Sequence, residues 1–227
     1  MRKLCGLLIL ALTASFAFAD AKTDSTERLQ NAGTVLNEIM AAPDKGIPGE
    51  VFDGAKCVVV IPHMVKGGFV FGGKHGRGVA TCRTGKGWSA PAFVSIGGGN
   101  WGLQIGVQGV DLVMMIMNDK GAQAMLANKF QVGGDASVAA GPVGRHASAG
   151  TDWKADTAIL SYSRTKGVFA GLTLEGSIVQ QDDDSTLAIY GKHIDQKTIL
   201  DGSVPAPAVA ASFLSSVRTN AEKAKAQ

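Results

Sequence analysis

The chain has 227 residues, 22 Lys+Arg against 19 Asp+Glu, and 45% apolar residues. That is enough apolar material for one ordinary core and excludes wholesale disorder; 30 glycines without a three-residue period exclude collagen and point to many turns between strands. Two of the basic residues, Arg2 and Lys3, open the chain, so the remainder is nearly neutral and offers no global attraction to nucleic acid.

Residues 1–19 have the build of a secretory signal. Arg2 and Lys3 form a positive start, Leu4 to Leu12 an apolar segment, and Ala17-Phe18-Ala19 a small-residue cleavage site. The apolar segment is short for a membrane span, and Cys5 lies within it rather than at the cleavage point, which does not fit a lipid anchor. The expected product is residues 20–227, exported and then periplasmic or secreted.

Asp24 and Glu27 then form a capping box, and Leu29, Ala32, Leu36, Ile39 and Met40 recur at helical spacing until Pro43. Residues 43–50 are a turn-rich connection. From Lys56 the period changes to two. CVVVIP (57–62) is a buried strand ended by Pro62, and 67–73 and 76–83 flank a polar tip, Lys74-His75, as a hairpin. A TGKG turn precedes a strand over 88–99, and alternation from Trp101 to Gln108 predicts a half-buried strand. Residues 110–117 form a strand buried on both faces. Asn118 or Asp119 caps a short helix through Leu126, and a strand is expected around SVAAGPV. Strands are expected again over 156–164 and 167–179. Asp182-Asp183-Asp184 opens a helix, and a last helix runs from about Pro207 to Ala224. The fold class is α+β: a single domain with an antiparallel β core able to curl into a barrel, and helices near both termini.

Cys57 and Cys82 lie in adjacent strand-like runs. In an oxidising compartment they are either bridged or two buried thiols acting as small hydrophobes.

Enzyme signatures are not found. Gly97, Gly99 and Gly102 satisfy GxGxxG, but the next residues are strand-like LQIGVQ rather than the helix that holds a pyrophosphate, so the match is read as a glycine turn. GxxxxGK[ST], GxSxG and HExxH do not occur, and His63, His75, His146 and His193 are scattered. The triple aspartate lacks the alternation of a calcium loop and is read as a helix cap. No catalytic residue, metal ligand or cofactor is assigned. An outer-membrane barrel is excluded by the scarcity of aromatics and the helical ends. Basic residues do cluster around one hairpin region: Lys66, Lys74, His75, Arg77, Arg83 and Lys86, with Phe69 and Phe71 between them. Such a tip suits anionic headgroups, although a solvated hairpin with inward phenylalanines has the same composition.

Five runs together closely resemble the SYLF domain, a lipid-binding module also called the yeast endocytic actin-binding domain. They are AKCVVVIPHMVKGGFVFGGKHGRGV (55–79), GWSAPAFVSIGGGNWGLQIGVQGVDLVMMIMND (87–119), ASVAAGPVGR (136–145), YSRTKGVFAGLTLEGS (162–177) and DDDSTLAIYGK (182–192). The resemblance implies non-catalytic phospholipid binding, with phosphoinositides preferred in eukaryotic members, through basic residues and an N-terminal amphipathic helix. The segment from Asp24 to Met40 corresponds to that helix by position. The lipid-binding residues so indicated are Arg28, Lys45, Lys66, Lys74, His75 and Arg77. The sequence departs from the eukaryotic pattern in carrying an export signal and no attached SH3 or FYVE domain. Another anionic phospholipid or membrane surface is therefore the expected partner, actin is not, and neither is nucleic acid. The alternative is an envelope structural protein, or a carrier of a small apolar ligand within the β core.

Overall fold

The change of period at Lys56 divides the chain as expected, into a helical start and a sheet. Residues 2–42, 46–68, 71–101, 106–142, 157–165, 168–169 and 172–226 are described by a computed structural model. Helix α1 (Arg2–Met40) buries Leu29, Ala32, Val35, Leu36 and Ile39, the stripe that its spacing predicts. A short helix α2 (Gly49–Gly54) leads into strands β1 (Cys57–Gly68), β2 (Phe71–Thr84), β3 (Gly87–Trp88), β4 (Ala92–Trp101) and β5 (Gly106–Ile116). Helix α3 (Asp119–Leu126) starts where Asn118 accepts from the Gly121 amide. Strands β6 (Lys129–Gln131), β7 (Val138–Ala140), β8 (Ile159–Thr165), β9 (Val168–Phe169) and β10 (Ile178–Gln181) come next. Helices α4 (Asp183–Tyr190), α5 (Gln196–Leu200) and α6 (Ala211–Lys225) complete the order, with a 3₁₀ turn at Ala208–Ala210.

The principal strand path is β6-β10-β4-β2-β1-β5-β8-β7, curled into a half-barrel. Its pairings are antiparallel except β7 with β8, which is parallel and qualifies the purely antiparallel expectation. Alternation gives the central strands two buried faces. On the helix face, Val58, Val60, Val79, Phe93, Val113 and Met115 pack with residues of α1, α2 and α6. On the inner face, Val59, Ile61, Met64, Ile96, Leu112 and Met114 pack with Met125, Phe130, Val179, Ile199 and Leu200. Burial on both faces explains why 110–117 shows no polar alternation.

Pro62 does not end the first strand. β1 continues to Gly68 through a bulge, where it carries one extra residue relative to both β2 and β5. His63 takes the left-handed conformation there (φ 51°), and its amide donates to Asp111 Oδ1 at 3.1 Å. Ile61 and Met64 lean over β2 at this point. A Cβ on Gly78 would stand 2.2 Å from the Val60 carbonyl oxygen, so only glycine lets the strands approach this closely.

Other expectations are corrected. Lys74 and His75 are not a hairpin tip but interior residues of β2, paired with Lys66 and Val65; the reversal falls between Gly68 and Phe71. Of the strand expected from Trp101 to Gln108, Trp101 closes β4 and Gly106 to Gln108 belong to β5, while 102–105 lie outside the described residues. Gly97 and Gly99 lie within β4, paired with His75 and Gly73, rather than in a turn; Gly102 lies outside the described residues. Of the strand expected over 167–179, the described residues give β9 and the start of β10, with Leu172 to Ser177 in turns and coil between them. Cys57 and Cys82 face each other across β1 and β2 and are bridged.

Candidate functional site

The six basic residues singled out in the sequence do not form one patch. Lys45 lies outside the described residues. Strand parity divides four of the rest: Lys66 and Lys74 share the inner-face side, while His75 and Arg77 share the helix-face side. Arg28 approaches that second side from α1.

Arg28 and Arg77 are engaged in a closed ionic cluster. Arg28 Nη1 donates to Asp182 Oδ2 at 2.9 Å and to Ser185 Oγ at 3.0 Å, and Nη2 donates to Asp24. Arg77 Nε donates to the same Asp182 oxygen at 3.1 Å, and its Nη1 to Asp24 Oδ2 at 3.2 Å. Asp182 also caps α4, accepting from the Ser185 amide and hydroxyl at 3.1 and 2.8 Å. Burial pushes the Asp182 carboxyl up, but the Ser185 hydrogen bonds and the charges of Arg77 and Arg28 outweigh it and hold it below the usual carboxylate range. The triple aspartate is thus a helix cap, with its first member serving as counter-ion. An open cleft of about 540 Å³ beside the cluster is lined by Asp20, Asp24, Arg77 and Asp184 together with Ala21, Leu187 and Ala188.

This cluster and the buried stripe of α1 change the role of the N-terminal helix. Leu29, Ala32, Leu36 and Ile39 are fully buried against the sheet and α6. The apolar face of α1 is core, and it is not presented to a membrane in this structure.

Beyond α1 and α6, no helix among the described residues covers this end of the sheet. The last polar contact of α1 on the helix face is an ion pair of Glu38 with Arg164, which also donates to Asp111. One step further, Val65 is 51% exposed and Val107 78%, with exposed His75 and Gly109 beside Val65. On the opposite side of the same sheet end, Lys66 and Lys74 stand directly across from each other. Lys66 is half-buried. Lys74 is only 5% exposed, and its ammonium donates to the Thr173 carbonyl at 2.5 Å. Burial, and then the Lys66 charge, lower the Lys74 pKa from its ordinary value. Neither ammonium enters a salt bridge among the described residues.

Sequence reasoning overlooked Val65 and Val107 as surface residues, and Asp24 and Asp182 as the counter-ions of Arg28 and Arg77. For the aspartates a signal existed, since Asp24 and Arg28 are one helical turn apart. For Val65 there was none, because the bulge reverses its side.

No helix among the described residues is long and apolar enough to cross a membrane. A family model described as "Ysc84: Las17-binding protein actin regulator" matches residues 97–220. The chain is 40% identical over 169 residues to an SH3 domain-containing protein of Schizosaccharomyces pombe, an alignment covering 72% of this chain and 39% of that protein. It is 33% identical over 170 residues to the human SH3 domain-containing YSC84-like protein 1, covering 74% and 49%. With Protein YSC84 of Saccharomyces cerevisiae it shares 34% identity over 178 residues, covering 77% and 38%. The chain therefore spans about half the length, or less, of these curated relatives. The region matched by the family model takes in the second half of β4, all of β5 and the α4 cap, and it places this chain in the Ysc84 family, the family of the SYLF domain.

Proposed function

We propose that this chain is a non-catalytic, exported module that binds anionic phospholipid at the uncovered end of its sheet. The observation that carries the reading is the pairing of exposed Val65 and Val107 on one side with Lys66 and Lys74, outside any described salt bridge, on the other. Apolar side chains that enter the acyl boundary beside ammonium groups that meet phosphates are the chemistry of a membrane-surface contact. Basic Lys66 and Lys74 keep the role that the sequence suggested for them, His75 joins Val65, and Arg28 and Arg77 become supports of the fold. The inner face is filled by Ile61, Met64, Ile96, Leu112 and Met114, which favours a surface ligand over a small apolar cargo. Export is supported by the positive start, apolar segment and Ala17-Phe18-Ala19 of the N-terminus. Cleavage after Ala19 leaves Asp20 and Asp24 near the new helix start, where carboxylates are favourable.

The test is co-sedimentation of the protein recovered after export with phosphatidylglycerol or phosphatidylcholine vesicles, at low and high salt, with its N-terminus read by mass spectrometry. The expected result is a chain beginning at Asp20 that sediments with the anionic vesicles alone and is released as salt screens the charges. Absence of sedimentation under every condition would overturn the lipid reading and turn attention to a protein partner, as the Las17-binding description of the family suggests.

A further inference from the structure

We infer that the Cys57–Cys82 bridge is a thiol–disulfide exchange site, reached by a small ammonium-bearing thiol through the cleft at the end of the half-barrel away from Lys66; the inference stands independently of the lipid reading. The access is geometric. An open cleft of about 520 Å³, a size typical of small-molecule sites, lies between α3, α5, the start of β1 and the end of β2. Cys57 and Cys82 are buried residues of the inner face, yet both line this cleft, so the bridge forms part of its wall instead of being sealed in the core. Ala122, Leu126 and Leu200 add an apolar floor.

The backbone around the bridge is held by other bonds, so the bridge can open without the strands parting. The Arg83 amide donates to the Lys56 carbonyl at 2.7 Å, and the Lys56 amide to the Ile116 carbonyl at 2.7 Å. The Ser89 amide donates to the Cys82 carbonyl at 2.8 Å, and the Cys82 amide to Ser89 Oγ at 3.1 Å. Cys57 and Cys82 are directly opposed as a non-hydrogen-bonded pair of the ladder, so cutting the S–S bond removes no backbone bond between them.

The exchange needs no reagent other than the thiol. Its thiolate sulfur bonds to one sulfur of the bridge and the S–S bond breaks. The other cysteine leaves as a thiolate and takes up the proton that the incoming thiol gave to water, leaving one mixed disulfide and one free cysteine. Lys56 and Arg83 line the cleft, and cations beside a thiolate stabilise it. The rim sets the class of thiol. Lys56 pairs with Asp119 at 2.7 Å and Arg83 with Asp53 at 3.5 Å, whereas Asp201 on the same rim enters no salt bridge among the described residues. The carboxylate left over attracts a thiol that carries an ammonium and repels one that carries a carboxylate.

The experiment exposes the folded, oxidised protein to cysteamine, mercaptoethanol or mercaptoacetate at low ionic strength, quenches with acid, and reads mixed disulfide or dithiol by mass spectrometry. Rates are corrected for the thiolate fraction and nucleophilicity of each reagent. Below the unfolding transition the rate should not vary with urea. A rate that climbs with the slope of global unfolding means that only the unfolded chain reacts, and overturns the site. Ala122→Phe, placed to fill the cleft, should slow the reaction roughly tenfold through lost access, while the oxidised variant melts as the wild type does. A wild-type rate in the folded variant overturns the cleft as the route; should the variant fail to fold, the urea series decides. Cysteamine should exceed mercaptoacetate roughly threefold, the scale of an exposed ion pair, and Asp201→Asn should bring the two together. Equal corrected rates for the three thiols with wild type overturn the ammonium-bearing class.

Discussion

Arg28 of the first helix and Asp182 at the cap of α4 are separated by 154 residues in sequence and meet at 2.9 Å, buried, with Arg77 of β2 on the same carboxylate oxygen. Three elements are thereby fixed to one atom. Replacing Asp182 by Asn removes the charge and keeps the size, leaving Arg28 buried with Asp24 as its remaining carboxylate. Breaking a buried pair from one side costs about 3–5 kcal/mol, and urea unfolding of Asp182→Asn should show a loss near the lower value. The sign with pH is set by the lowered carboxyl. Its stabilisation is present above the ordinary carboxylate value and is lost as pH falls through the lowered one. The variant should lack that acid limb. A loss under ~1 kcal/mol would mean that Asp24 alone satisfies Arg28.

Lys74 has the opposite leaning. Its folded pKa lies below the ordinary lysine value, so between the two the unfolded chain holds more protons and stability rises with pH. Chemical unfolding of wild type and Lys74→Met between pH 7 and 10 should give a difference that narrows as pH increases. A difference that is constant with pH would show that the ammonium is not strained by its surroundings.

The Cys57–Cys82 bridge closes a separation of 25 residues. Cys57→Ala with Cys82→Ala should lower stability by about 3 kcal/mol, as the chain-entropy model gives for such a loop. Vesicle binding should be unchanged, since the bridge lies at the opposite end of β1 from Lys66. Thermal melts with and without reductant check the first point, and sedimentation the second.

Val65→Ser with Val107→Ser should weaken binding to anionic vesicles and leave unfolding unchanged, because exposed side chains contribute little to the core. Arg77→Glu, by contrast, sets a third carboxylate against Asp24 and Asp182 and should destabilise the fold before it reports on lipid. Equal vesicle binding by wild type and the double serine variant would remove these valines from the contact.

Much of the fold was legible in the residues. The stripe of α1, the Asn118 and Asp182 caps, the run at 110–117 and the last helix each carry a local pattern that burial then satisfies. What was missed depends on register. Lys74 and His75 look like a tip because they are polar amid glycines, and only their pairing with Lys66 and Val65 shows them inside a strand. α5 (Gln196–Leu200) is a single helical turn held by tertiary contacts, including the Gln196 side chain donating to the Met125 carbonyl, and its five residues are too few for a periodicity to show. The candidate site was half legible: its lysines could be named, but not that arginines beside them were already neutralised.

The extra residue in β1 acts as a parity switch. Odd-numbered residues face inward up to Ile61, and even-numbered ones from Met64 onward. One inserted position, His63 with its left-handed backbone, therefore decides that Lys66 turns to the inner-face side, across from Lys74, and Val65 to the helix-face side. Were the bulge flattened with every residue kept, Lys66 and Val65 would exchange sides; shortening the chain by that single residue would instead restore plain alternation and leave both where they are. The chemical identity of each surface at the sheet end is thus set by one residue left out of the ladder, as much as by the side chains themselves.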